Sequence, residues 1–117
     1  MELNEYQERA MDTCMDSCEN DSYMLLNLVA EVGELAGKIA KGIRREEIEV
    51  CEGNYLLNQN HRYDDKDLML EAGDILWQLA GLCKMMGWTL EDVAQANLDK
   101  LASRKERGVI DGNGDHR

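Results

Sequence analysis

The sequence contains no proline and no phenylalanine, and aromatic residues occupy only 5% of its 117 positions. With no proline, nothing kinks or stops a helix from within, and Leu, Met, Ala and Val are left to build the core. Basic residues are scarce too: 13 Lys and Arg stand against 24 Asp and Glu, a formal net charge of −11. Such a surface repels DNA and RNA phosphates and disfavours nucleic-acid binding as the main task. No apolar run reaches the length of a membrane span, because Glu31 and Glu34 interrupt the first candidate and Gln78 and Lys84 the second. A soluble protein is expected. There is no secretory signal, and of the four cysteines Cys14, Cys18 and Cys83 sit in helix-like runs while Cys51 does not. A reduced, cytoplasmic setting follows as the expectation.

What is present favours helices. Met, Leu, Ala and Glu are plentiful, and the length suits one domain, 1–117. From Leu3 to about Ser17, Leu3, Tyr6, Ala10 and Met11 or Cys14 share one side of a first helix. Asn20, Asp21 and Ser22 offer N-caps for a second, in which Leu25, Leu28, Val32, Leu35 and Ile39 recur until Gly42. Ile43 to Val50 reads as a short helical continuation, and Gly53 to Asp67 as a polar connection. A third helix from Lys66 to Met86 stops at Gly87, and Thr89 with Asp92 caps a fourth from Leu90 to Arg107. The Gly- and Asp-rich tail, 108–117, is expected to be a mobile end. The fold class is all-α, a four-helix bundle-like arrangement.

Two short stretches carry the chemistry. Glu31-Val-Gly-Glu-Leu35 on the second helix is echoed by Glu71-Ala-Gly-Asp-Ile75 on the third. Carboxylates at i and i+3 lie about 60° apart on a helix, so each pair points into one small volume. The stripes extend to Asn27 and Lys38 on one helix and to Asp67 and Gln78 on the other. Antiparallel packing, which the 36 residues between Glu34 and Glu71 allow, would let four carboxylates converge. Clustered anions raise one another's pKa, and a divalent cation relieves them. An all-oxygen set suits Mg²⁺ or Mn²⁺ rather than zinc. Gly33 and Gly73 would then mark a close approach by a neighbouring helix or bound group. Spacing alone leaves a second reading open, in which each pair is a solvated helix face and Glu34 with Lys38 an ordinary i,i+4 ion pair.

These residues resemble the MazG-like nucleoside triphosphate pyrophosphohydrolases, within the all-α pyrophosphohydrolase superfamily. The opening Leu3-Asn-Glu-Tyr-Gln7, the segment Gly73-Asp-Ile-Leu-Trp77, Asn97 and Lys100 with Arg104, and the ending from Arg107 to Arg117 are similar to the family's pattern. The resemblance implies Mg²⁺-dependent hydrolysis of a nucleoside triphosphate between its α and β phosphates, with Mn²⁺ a possible substitute. It implies Glu31, Glu34, Glu71 and Asp74 as catalytic metal ligands, and Lys38, Asn97, Lys100 and Arg104 as contacts to phosphate or sugar. Trp77 is a candidate nucleobase contact or a core residue. It also implies assembly as a dimer or a dimer of dimers, consistent with a third helix that is apolar on more than one face. The nucleoside-shaping connection varies in such proteins, so the preferred base and sugar do not follow. Two other readings stand beside this one: a non-catalytic acidic helical dimerisation module, and a relative that hydrolyses a nucleotide-linked metabolite.

Other signals fail on their own terms. Asp111-Gly-Asn-Gly-Asp115 imitates the first half of a calcium loop, but the sequence ends before the twelfth-position Glu. Cys14 and Cys18 have neither His61 nor His116 in a zinc spacing and are read as structural thiols. No nucleophile motif and no Gly-rich phosphate loop is present.

Overall fold

The computed structural model describes residues 1–51, 54–57 and 65–114. Residue 52, residues 53 and 58–64 of the expected polar connection, and 115–117 of the tail lie outside the described residues. Four helices carry the fold: α1 (Leu3–Met11), α2 (Asp21–Arg44), α3 (Asp65–Met85) and α4 (Leu90–Glu106). Between α2 and α3 the chain forms two short strands, β1 (Ile48–Cys51) and β2 (Asn54–Leu57). The all-α expectation holds, and no described helix is long and apolar enough to cross a membrane.

α1 ends well before Ser17, and the reason is tertiary. The Ala10 carbonyl, which a longer helix would offer to the Cys14 N–H, accepts instead from the Trp77 indole Nε1 at 3.0 Å and from Thr13 Oγ1 at 2.7 Å. Cys14 N–H turns back to Met11 O at 3.0 Å, and a 3₁₀ turn at Asp16–Cys18 bridges to α2. Of the three possible caps Asn20 is the one used: its Oδ1 accepts from Tyr23 N–H at 2.7 Å. α2 continues past Gly42 and closes at Glu46, a non-glycine residue at φ 60°. Glu46 and Glu47 N–H return to the Ile43 and Gly42 carbonyls, a Schellman closure.

The expected helical continuation over Ile43 to Val50 is a β-strand beyond Glu47. Ile48 pairs with Leu57, Glu49 with Leu56, Val50 with Tyr55 and Cys51 with Asn54, antiparallel. β-Branched Ile48 and Val50 suit a strand, and burial of Ile48 gives it one face to pack. The local apolar pattern resembled helix because strand pairing is decided by a partner several residues away.

α3 and α4 obey their local signals. Gly87 takes φ 78° as α3 closes, with Trp88 N–H on Cys83 O, and Thr89 Oγ1 accepts from Asp92 N–H at 3.1 Å. Gly108 at φ 70° repeats the closure after α4, with Val109 N–H on Arg104 O at 2.9 Å. Through residue 114 the tail turns back on the end of α4. Arg104, buried, donates from Nη2 to the Gly114 carbonyl at 3.3 Å.

The core is small. Met11, Met24, Ala80, Cys83 and Leu90 form its buried centre, flanked by Tyr6, Ala10, Tyr23, Trp77 and Val93. α2 and α3 run antiparallel, and Gly81 leaves room for a side chain of α2: a Cβ there would overlap Met24 Sδ, itself fully buried. That role had been expected of Gly33 and Gly73, but a Cβ at either meets nothing within 4 Å. α1 is fastened by polar side chains. Gln7 Nε2 donates to the Ala80 and Trp88 carbonyls, each at 3.1 Å, and its Oε1 accepts from Leu90 N–H at 3.1 Å. Asn4 adds a bond to Glu91 N–H at 3.0 Å. The radius of gyration is 17.6 Å, against about 13 Å for a compact domain near this length, and a row of α2 residues (Leu25, Leu26, Val29, Val32) stays exposed.

Candidate metal centre

Two contacts set the register between α2 and α3: Met24 against Gly81 at one end, and Lys38 Nζ to Glu71 Oε1 at 2.8 Å at the other. In that register the Glu31 level of α2 meets the Asp74 level of α3, and Asn27 meets Gln78. The helical spacing expected of the two acidic stretches is thereby turned toward a common seam. Glu31, Glu34 and Glu71 each offer a carboxylate oxygen within 4.8 Å of the others. Asp74, expected as a fourth member, is exposed and stands outside this group, yet close enough for its charge to act on Glu31.

The electrostatics are those of crowded anions. Glu31 holds its proton more tightly than an ordinary carboxyl, first because burial disfavours the charge, then through Glu34, Asp74 and Glu71. Asn27 works the other way, its Nδ2 donating to Glu31 Oε1 at 3.5 Å. On α1, burial raises the Tyr6 phenol and Asp74 adds to the rise. Spacing on one helix carries no signal for Tyr6, which reaches the acidic face from another element.

Glu31 Oε2 and Glu71 Oε2 are buried and accept no hydrogen bond. Buried acceptors are almost always satisfied, so two orphaned carboxylate oxygens in one cluster call for a donor or a cation. A six-coordinate ion with metal–oxygen distances of about 2.1 Å separates its ligands by about 3 Å when adjacent and about 4.2 Å when opposite. The cluster, with its oxygens within 4.8 Å of one another, is slightly wider than that span, and small side-chain rotations would bring the three onto one ion. With no His or Cys among the three, the donors match a hard divalent cation.

The remaining expected residues are distributed elsewhere. Lys38 reaches across the seam to Glu71, beyond the i,i+4 pairing with Glu34 that its spacing suggested. Asn97 and Lys100 line a groove of about 470 Å³ along α4 with Trp88, Asp92, Val93 and Ala96. None of the four carboxylates lines this groove. Arg104, expected beside them, turns to the tail. Trp77 is half-buried against the core, and its N–H is shared between Ala10 O and Thr13 Oγ1, so the fold uses it to hold α1.

The described cluster sits inside a wider sequence match: residues 19–109 fit the family described as the MazG nucleotide pyrophosphohydrolase domain. The chain belongs to the MazG family. It is also 39% identical, over the full length of both chains, to the Gene 37 protein of Mycobacterium phage L5. That name says nothing of activity. No solved structure matches the chain. Both acidic stretches fall inside the MazG match, while α1, which supplies Tyr6 and Gln7, precedes it.

Proposed function

We propose that this MazG-family protein is a Mg²⁺-dependent nucleoside triphosphate pyrophosphohydrolase. It would break the bond between the α and β phosphates, yielding a nucleoside monophosphate and pyrophosphate. The observation that carries the reading is the group of Glu31, Glu34 and Glu71 with its two orphaned, buried oxygens. Bound divalent ions would supply charge neutralisation at the leaving pyrophosphate and an activated water. The chain's own part is to hold Glu31, Glu34, Glu71 and Asp74 as oxygen donors on two helices whose register is fixed at both ends. Asp74, exposed beside the group, swings in by side-chain rotation. Lys38, at the Glu71 end, meets phosphate oxygens once Glu71 turns to an ion. Asn97 and Lys100 serve phosphate or sugar from α4.

The protein acts as a homo-oligomer. Leu26 and Val29 on α2 are 72% and 67% exposed, and Met69 and Leu70 on α3 are 71% and 59% exposed. With so few buried residues in one chain, a second copy is the economical cover for these apolar surfaces. The setting is the cytoplasm, where nucleoside triphosphates and Mg²⁺ are abundant, and neither nucleic acid nor membrane is a partner of this acidic surface.

The test is pyrophosphate release from a panel of ribo- and deoxyribonucleoside triphosphates with and without Mg²⁺. Release is expected with at least one nucleotide, and Glu34→Gln or Asp74→Asn should abolish it while helical circular dichroism stays intact. No release across the panel, or full activity in both variants, overturns the proposal. Product mass separates triphosphate cleavage from hydrolysis of a nucleotide-linked metabolite.

A further inference from the structure

Gln78 is a polar side chain buried deeply, at 3% exposure, and its Oε1 accepts no hydrogen bond. It lies one helical turn beyond Asp74 and two beyond Glu71 on the α3 stripe, at the level of Asn27 on α2. Asn27 Nδ2 is turned to Glu31 Oε1. The Gln78 carboxamide also lies beside the Tyr23 hydroxyl, which lies in turn beside Cys18. Because an amide donates only through nitrogen, the Tyr23 contact leaves Oε1 as the open end of the Cys18, Tyr23 and Gln78 chain.

Along the seam the orphaned atoms therefore run Glu71 Oε2, Glu31 Oε2 and Gln78 Oε1, all of them acceptors. Only a species that presents positive charge or hydrogen-bond donors satisfies such a row. A hydrated divalent ion presents both. An ion-held water lies about 2.1 Å from its ion and reaches a further 2.8 Å or so to an acceptor. The sum, about 5 Å, is close to the 5.4 Å pitch that separates the Gln78 level from the level shared by Asp74 and Glu31, while Glu71 lies a further turn away. A neutral carboxamide adds no further charge to an already anionic cluster.

We propose that Gln78 is a positioning residue that accepts a hydrogen bond from a water of the divalent ion held by Glu31, Glu34 and Glu71. Tyr23 fixes which end of the carboxamide faces that water. This role rests on the metal reading given under Proposed function, and it concerns the ion's hydration shell rather than the nucleotide. Partners of this kind change metal affinity by about 10- to 100-fold when removed.

The experiment is Mn²⁺ titration followed by the electron paramagnetic resonance signal of the free ion, without nucleotide, on the wild type, Gln78→Met, Gln78→Glu and Tyr23→Phe. Gln78→Met keeps the length and removes the acceptor, and it should bind Mn²⁺ about 10-fold more weakly. Gln78→Glu keeps an acceptor and should bind at least as tightly as the wild type. Tyr23→Phe, which spares Gln78 itself, should weaken binding about 2- to 3-fold, within the effect of losing one supporting hydrogen bond, and it decides the matter if Gln78→Met does not fold. Wild-type affinity in both Gln78→Met and Tyr23→Phe overturns the assignment while leaving the metal centre standing. Equal losses in Gln78→Glu and Gln78→Met also overturn it, because acceptor chemistry then does not matter. Failure of the wild type to bind Mn²⁺ overturns the metal centre and this role together.

Discussion

Lys38 Nζ lies 2.8 Å from Glu71 Oε1, joining α2 to α3 at the far end of the acidic seam from Met24 and Gly81. The ammonium occupies the place beside Glu71 where a divalent cation would have to act. A half-exposed ion pair of this kind is worth roughly 0–1 kcal/mol. Lys38→Met is therefore expected to tighten Mn²⁺ binding in the absence of nucleotide by about 2- to 5-fold. Calorimetric titration measures it, and weaker binding in the variant would rule out competition between the ammonium and the ion.

Glu31 gives the metal-free protein a pH dependence of definite sign. Its folded-state pKa lies above its ordinary value of 4.5, chiefly because it is buried and then because Glu34, Asp74 and Glu71 surround it. The folded chain consequently holds the proton over a range in which the unfolded chain has released it. The stabilisation is complete below about pH 4.5 and is lost as pH rises through the folded-state value. Melting curves in chelator should show a steeper decline in Tm from pH 5 toward neutrality for the wild type than for Glu31→Gln. Parallel profiles for the two proteins would refute the electrostatic account.

Gln7 ties three main-chain groups of α3, the turn and α4 to α1. Gln7→Met retains the length and strips every hydrogen bond, leaving the Ala80 and Trp88 carbonyls and the Leu90 N–H without that partner. The expected loss is about 2–4 kcal/mol in urea unfolding, the range for orphaned buried polar groups. A loss below about 0.5 kcal/mol, the size of an ordinary surface substitution, would mean that the clamp is dispensable.

Glu46 closes α2 in the left-handed region at φ 60°. An L-residue there carries a steric cost of about 1–2 kcal/mol that glycine avoids. Glu46→Gly is expected to stabilise the fold by about 1 kcal/mol, or roughly 4 °C in Tm. An unchanged or lower Tm would show that the Glu46 side chain contributes more than its backbone costs.

Sequence and structure agree where the signal is local. Thr89, Gly87 and Gly108 act through their own backbone neighbourhood, and the ends of α3 and α4 fall within a residue or two of the expected places. The i,i+3 spacing of the carboxylates is equally local, so their common seam could be anticipated. The end of α1 could not, because it depends on an indole from α3 capturing the Ala10 carbonyl. Nor could the hairpin after α2, whose strands are defined by each other. Gly33 and Gly73 meet no neighbouring helix for a related reason: a glycine's purpose depends on what faces it, and within this chain it is Gly81 that a neighbouring side chain crowds. The same holds for Asp74, which spacing places with the others and side-chain direction leaves beside them.

The Gln7 clamp has a consequence for how this chain can change over time. All three of its partners are main-chain atoms, at positions 80, 88 and 90. The carboxamide reads shape and not identity, so the bonds themselves survive any replacement at those positions that keeps the backbone path and, at 90, is not proline. Dependence runs one way: a single side chain on the first helix must persist, while at Ala80 and Leu90 it is core packing and not the clamp that restricts what can stand there.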